Sequence, residues 1–298
     1  MNRDQIYQQI LSTNDLPIFL LPQWMDIVAP DWQIVVSQDK QGQLNGLLPF
    51  QRKMKWGMKA CVTPWLTPYS GPWTNLEENH RNAKSIGQHQ AITNTLVSKL
   101  PKSQIYQFKL RPTLFPAHAW YWAGYNLGTK YTYQLKLDSQ ENIFSNFKNT
   151  IRTALRKIEN DINVLAIDDP EEWQNFVLRN GTPHYAALTK GMAYKLFHLK
   201  ESICLKAISN NSIIGVSYFV KTMKTIYYLI GIRNDDEQNL ATTAMLWHII
   251  QEFAGQAFTL DFEGSMLPSV EPYFRRFGGD PVSYLQVTKQ HKWVSLLR

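Results

Sequence analysis

Two carboxylates spaced two residues apart, Asp261 and Glu263, stand at the end of a short apolar run, Phe258-Thr-Leu-Asp-Phe262. The run reads as a buried strand, in which successive side chains point to opposite faces. On that reading Asp261 and Glu263 share one face at the carboxyl end, with Leu260 and Phe262 on the other. Two close carboxylates push one pKa upward, towards the value a general base needs. Capping of the following helix is the competing role for such acids. A second constellation is basic: Lys148, Arg152, Arg156 and Lys157 gather within ten residues. Arg152 and Arg156 are four apart and lie on one face of a predicted helix, with Lys148 extending the ridge. A guanidinium fork suits paired phosphate oxygens, so this face is a candidate phosphate site, against the alternative of a solvated basic surface.

Other chemistries lack their residues. There is no nucleophile elbow, zinc-protease helix, phosphate-binding Walker loop or dinucleotide glycine fingerprint. The seven histidines have no ligand spacing and the two cysteines form no C-x-x-C, so no metal is expected. His184, beside Tyr185 in the Gly181-Thr-Pro-His-Tyr185 loop, is the one histidine that stands out as a site candidate, against the commoner role of a loop histidine as a surface residue. The stretch from Val62 to Trp73 holds three prolines and a glycine, which preclude regular pairing. Its Trp65, Tyr69 and Trp73 are expected to wall a cleft, with a structural loop over a core as the alternative.

These residues must be held by a chain of 298 residues, long enough for two domains, with 44% hydrophobic and 13% aromatic residues to fill two cores. No stretch reaches the roughly 18 uncharged apolar residues of a membrane helix. Met1-Asn-Arg-Asp-Gln5 lacks a signal-peptide core, and Ile18 to Leu21 is too short to supply one. Cys61 and Cys204 lie in strand-like runs, as buried thiols in a reducing compartment would. The expectation is a soluble, cytoplasmic protein. The net charge is +7, from 31 basic and 24 acidic residues, with a pI near 9.2. That balance favours anionic partners, and Arg275, Arg276, Lys289, Lys292 and Arg298 concentrate it near the C-terminus.

The element pattern runs twice. Trp32 to Gln38, Leu44 to Lys53 and Lys59 to Leu66 read as strands, followed by a helix from Ala83 to Leu100. A strand from Gln104 to Leu110, a short segment from Pro116 to Tyr125 and a strand from Tyr131 to Leu137 complete the pass. The second pass has strands at Ile203 to Ile208, Ile213 to Val220 and Thr225 to Ile232. A largely buried helix from Leu240 to Ala254, stopped by Gly255, precedes the strands at Phe258 to Phe262 and Ser283 to Thr288. Duplication of an α/β unit follows, with domains at 1–138 and 139–298. A basic helix from Ile143 to Asn160 opens the second.

The closing segment, Asp261-Phe-Glu-Gly-Ser-Met266 and then Tyr273-Phe-Arg-Arg-Phe-Gly-Gly279, reads as strand, acidic end, short helix, glycine stop and strand. It resembles the last unit of the GNAT acyltransferase fold. The wording is similar to the tandem-GNAT group that contains the Fem-type aminoacyltransferases of peptidoglycan synthesis. The Pro-rich loop has a counterpart there, and the helix resembles the Fem-type R-x-x-I-R-K-A: Arg152, Arg156 and Lys157 match, Leu155 takes the Ile position and Ile158 the Ala position. The resemblance covers Trp24 to Tyr284. It implies an α/β fold of two GNAT-like lobes, with mixed, mostly antiparallel sheets and helices on both faces, around an interlobe cleft. It also implies an enzyme that forms an amide bond on an amine acceptor, with the arginines near the phosphates of a nucleotide-linked cell-wall precursor. Backbone N–H groups around Ile230 and Gly231 would stabilise the oxyanion. The donor would be a co-substrate, aminoacyl-tRNA or acyl-CoA, with no permanently bound cofactor. An anionic acceptor and tRNA are the partners implied, and no DNA.

The donor loop departs from the family. Gln238 fits R/Q-x-x-G-x-G/A, but Ala241 and Thr243 replace the glycines that let a backbone approach a pyrophosphate. Thr242 and Thr243 remain as polar groups of that loop, with Asp235, Asp236 and Glu237 upstream. The usual general-acid tyrosine aligns with Phe274, leaving Tyr273 one residue early. A donor other than coenzyme A would permit both changes. The alternatives are acyl-CoA-dependent N-acetyl transfer, and a degenerate pair that binds an anionic ligand or RNA without chemistry.

Overall fold

The computed structural model describes residues 2–12, 14–55, 57–76, 82–112, 117–138, 140–181, 183–234, 240–263 and 266–291. The chain divides into two compact units, residues 1–130 with 283–298, and residues 131–282.

Unit 1 opens with α1 (Arg3–Leu11) and α2 (Pro22–Val28). Asn2 caps α1 in a reciprocal capping box with Gln5, and Pro22 sits at the first turn of α2, where its missing N–H costs nothing. Strands β1 (Gln33–Gln38), β2 (Leu44–Lys55) and β3 (Met58–Val62) follow, with a two-residue β4 (Trp73–Thr74) on β2. Then come α3 (Ala83–Ser98), β5 (Ile105–Lys109), α4 (His118–Trp122) and β6 (Asn126–Lys136), the last crossing into unit 2. β1, β2 and β3 pair antiparallel, and β3 pairs parallel with β5. A parallel pair needs a crossover, which α3 supplies. Leu48, Phe50, Ile92, Leu96, Phe108 and Trp120 form the core under that crossover.

Unit 2 has α5 (Gln140–Asn146), α6 (Asn149–Asp161), β7 (Asn163–Ala166), α7 (Pro170–Asn180) and α8 (Lys190–Phe197) before its main sheet. β8 (Ser202–Ser209), β9 (Ser212–Lys221) and β10 (Thr225–Arg233) are antiparallel neighbours, with β7 beside β8. The crossover helix α9 (Leu240–Phe253) leads to β11 (Thr259–Asp261), which pairs parallel with β10. α10 (Glu271–Arg275) and β12 (Asp280–Gln290) close the chain's described elements. α9 is buried on nearly every side, as its all-round apolar sequence requires, and Gly255 ends it at φ +79°.

The element order does repeat, three antiparallel strands, a crossover helix, a parallel strand, a short helix and a strand. The compact units nevertheless do not follow a linear cut at residue 138. In unit 1 the strand beside β5 is β12, the last of the chain, with Val287 opposite Phe108. In unit 2 the strand beside β11 is β6, the last of the first pass, with Leu260 opposite Leu135. Each repeat thus gives away its final strand. Local propensity cannot reveal such an exchange, because either strand would look the same from its own residues.

The predicted helix over 143–160 breaks in two. Phe147 is buried among Phe144, Trp247 and Phe277, and Lys148 takes extended angles (φ −61°, ψ 151°) to cap α6. The phenylalanine's packing overrides helix continuity.

Candidate active site in the second unit

The geometry begins where β10 and β11 part. Their register ends at Tyr227 opposite Asp261, while β10 continues to Arg233. Its pairing with β9 also slips between Tyr228 and Ile230, a bulge that re-aims the backbone beyond it. Gly231 lies past the bulge, opposite Ser217 of β9. Its N–H donates to the hydroxyl of Tyr185 at 3.2 Å. A side chain there is excluded: an added Cβ would lie 1.6 Å from the Tyr228 hydroxyl oxygen. Close approach, rather than a turn, is what this glycine serves.

Three tyrosines converge on the split. Tyr185, in a 3-10 turn over Pro183–Tyr185, is pushed to higher pKa by burial and by the charge of Glu263. Tyr228 is raised well above its ordinary 10.0 by burial and by its neighbours Tyr185 and Tyr273, with the Ser217 and Thr242 hydroxyls acting the other way. Tyr273 of α10 bonds Thr243 of α9 at 2.9 Å, and burial raises it despite that contact and the charge of Arg233. All three are therefore neutral donors at pH 7. A raised folded pKa leaves stability intact below the unfolded value near 10.0 and removes it as pH climbs through the folded one. Urea midpoints should hold flat to about pH 9 and fall above about pH 10, with a shallower fall in Tyr228→Phe. Identical slopes for that variant and wild type would mean that Tyr228 ionises as freely as in the unfolded chain.

Asp261 and Glu263 are both present, but not as a strand-face pair. β11 ends at Asp261, and Glu263 has φ +52°, so strand alternation does not reach it. Asp261 is fully buried and accepts from Thr132 Oγ1 (2.5 Å), Gln134 Nε2 (3.0 Å) and the Glu263 N–H (2.8 Å). Those bonds tie β11 to β6 and hold the turn that presents Glu263. Asp261 positions; Glu263, half-buried beside Tyr185, is the carboxylate left near the split.

Of the expected donor-loop residues, Ile230 is buried in β10, and Thr242 and Thr243 are buried in the first turn of α9. Gln238 lies outside the described residues, as does the side chain of His184. Arg152 and Arg156 are on α6, whose Ile151, Leu155 and Ile158 pack into the unit 2 core. Arg156 and Lys157 are exposed, and Arg152 donates to Asn149 Oδ1. Lys148 is the N-cap rather than part of the ridge, and its N–H meets the Arg276 carbonyl at 2.9 Å, joining α6 to the end of α10.

The aromatic loop packs into unit 1 rather than walling a cleft with Tyr69 and Trp73. Tyr69 and Trp73 are buried in unit 1, Tyr69 edge-on to Tyr284 and Trp73 among Ile6, Leu20 and Leu47. Thr67 accepts from Trp24 Nε1 (3.0 Å), Thr63 and Ser70 share a 2.7 Å bond, and both bond the backbone of Lys109. Proline stiffness and these bonds make the segment a packed structural loop, with only Trp65 of the three aromatics half-buried. Sequence reasoning did not single out Tyr228, Ser217 or Arg233, because the bulge that gathers them has no sequence mark. Tyr273 was visible as a tyrosine out of register, and its reach to Thr243 shows that one residue of offset on a short helix does not remove it from α9.

Two units of this topology define the class, a tandem GNAT-type fold, α/β with mixed, mostly antiparallel sheets. Solved structures with this fold include FemX, with 10% identity, a TM-score of 0.58 and 96% of each chain covered. The C-terminal domain of a putative lysylphosphatidylglycerol synthetase from Agrobacterium fabrum matches with 9% identity and a TM-score of 0.60, over 98% of this chain and 93% of that one. A tandem GNAT protein from the clavulanic acid biosynthesis pathway matches with 9% identity and a TM-score of 0.54, over 97% and 96%. No protein-family profile and no curated protein matches by sequence. Among the described residues no helix is long and apolar enough to cross a membrane, and no group of His, Cys, Asp and Glu could hold a metal.

Proposed function

We propose that the chain is an acyltransferase that joins an activated acyl or aminoacyl group to an amine, with the chemistry in unit 2. The observation that carries this reading is the parted β10 and β11, past which the Gly231 N–H donates to a neutral tyrosine hydroxyl beside Glu263. The amine nitrogen attacks the carbonyl carbon, forming the C–N bond. Its proton passes to Glu263, and the developing oxyanion takes a hydrogen bond from Tyr185, which keeps its own proton while accepting from Gly231. Collapse breaks the C–O bond of an ester or the C–S bond of a thioester, and a tyrosine hydroxyl protonates the leaving atom. The likeness to FemX and to a lysylphosphatidylglycerol synthetase domain favours an aminoacyl ester as donor, Fem-type transfer to a cell-wall precursor being one form of it. Ala241 and Thr243 in place of glycines favour the same choice over coenzyme A.

The test offers labelled aminoacyl-tRNA and acetyl-CoA separately, with amine acceptors that include nucleotide-linked muropeptides, and reads products by mass. Transfer from aminoacyl-tRNA that falls at least 100-fold in Glu263→Gln is expected. Turnover of acetyl-CoA alone would replace the donor, and no transfer from either would leave a binding protein. The α6 arginines would meet a phosphate of donor or acceptor, each charge-assisted contact contributing roughly 1.5–3 kcal/mol. Arg152→Ala or Arg156→Ala should weaken that ligand by about 10- to 100-fold with the urea midpoint unchanged, and Lys should rescue only in part. Equal binding by the double Ala variant would leave α6 a solvated basic face.

A further inference from the structure

Unit 1 contains a cleft of about 670 Å³, within the range of small-molecule sites, that takes no part in the chemistry above. It lies at the amino ends of the parallel strands β3 and β5, beside the C-terminus of α3 and the end of β12. Lys59, Lys102, Lys289 and His291 line it, with Tyr106 and Tyr125 in the wall, and no acidic side chain is among its described lining residues. Lys59 and Lys102 are exposed at their posts. Lys289 is held in place: its Nζ donates to the Ala123 carbonyl at 2.6 Å and sits 5.4 Å from the centre of the Tyr125 ring. That fixes one cation and leaves two of its protons for a ligand. Like charges converge on a concave surface only at a cost, which an anion removes.

The residues just before Ala123 of the cleft wall carry an independent signal. Tyr121 and Trp122 of α4 are 65% and 63% exposed, two adjacent aromatic rings left in water. Trp122 lies against His118, whose ring meets Gln90 at 3.2 Å, one turn of α3 before Asn94 of the cleft wall. Exposed aromatics next to a basic recess suit a ligand with a charged head and an apolar or stacking part.

We infer that this cleft of unit 1 is a second binding site, for a phosphate-bearing anion whose head is met by Lys59, Lys102 and Lys289. The phosphate belongs either to a soluble molecule such as a nucleotide or to a phospholipid headgroup, for which Tyr121 and Trp122 would enter the interface. The experiment measures binding to the whole chain, so it stands apart from any assay of acyl transfer. Pyrophosphate and ADP are titrated calorimetrically, and vesicles of phosphatidylcholine with and without phosphatidylglycerol are tested by co-sedimentation. The probes are applied to wild type, Lys59→Ala/Lys102→Ala and Trp122→Ala, all at surface positions. Saturable binding of either source that falls about tenfold or more per lysine removed is expected, about 1.4 kcal/mol for each tenfold step. Loss with Trp122→Ala on vesicles alone identifies the lipid source, and binding of ADP unaffected by that change identifies the soluble one. Arg152→Ala/Arg156→Ala is the control, since binding lost there instead belongs to α6. Absence of binding by every probe, or binding equal in wild type and the double lysine variant, overturns the site.

Discussion

Asp261→Ala should lower the stability of unit 2 by about 3 kcal/mol or more, read as a fall in the urea midpoint. The carboxylate is fully buried and accepts from a hydroxyl, an amide and a backbone N–H, each of which would be left without that acceptor. A hydrogen bond to a charged group contributes about 1.5–3 kcal/mol, and an orphaned buried donor costs its desolvation as well. Asp261→Asn should fall between, because its amide group has one acceptor atom where the carboxylate has two. The same pair of variants separates positioning from proton transfer. A base would lose turnover in Asn with the midpoint unmoved, whereas a strand tie loses midpoint first. An Ala variant as stable as wild type would remove Asp261 from the architecture.

Gly231→Ala should damage both the packing and the activity of the candidate site. The new methyl carbon would fall 1.6 Å from the Tyr228 hydroxyl oxygen and 2.7 Å from its ring carbon, closer than atoms can pack. Either the ring or the bulged strand has to move, and overpacking of this kind costs about 1–3 kcal/mol. Any shift of the strand also breaks the 3.2 Å contact with Tyr185, so acyl transfer should fall at least 100-fold, since displacements near 1 Å have that effect. Adding Tyr228→Ala empties the space and should recover the midpoint relative to the sum of the two single changes, without restoring the lost transfer. A double variant whose loss equals that sum would show that ring and glycine do not meet.

Local pattern carried much of this molecule. Alternation and β-branched runs placed the repeated strands of both units, most within a few residues, because half-buried strands need that composition wherever they lie. The all-round apolar run from Leu240 marked a buried crossover helix, and Gly255 marked its end for a reason confined to its own backbone. Arg152 and Arg156 were found on one helix for the same local reason. The sequence therefore determined the repeated core elements and their order, but not the short strands β4 and β7 or the helices α1, α2, α7 and α8, which it left unread.

What it could not hold were facts made by pairing. Which final strand completes which sheet depends on long-range partners, Val287 with Phe108 and Leu260 with Leu135, that no window of residues contains. Asp261 and Glu263 looked like a catalytic pair because alternation was carried one turn too far. The strand stops at Asp261, and a positive φ sends Glu263 elsewhere. Trp73 and Tyr69 looked like a cleft wall because aromatic loops often are, yet a net of threonine, serine and indole bonds folds them under. The tyrosine cluster exists only because β10 slips by one residue against β9 and parts from β11. A register shift is a balance of packing across three strands, so only the tertiary structure decided where the site's hydroxyls meet.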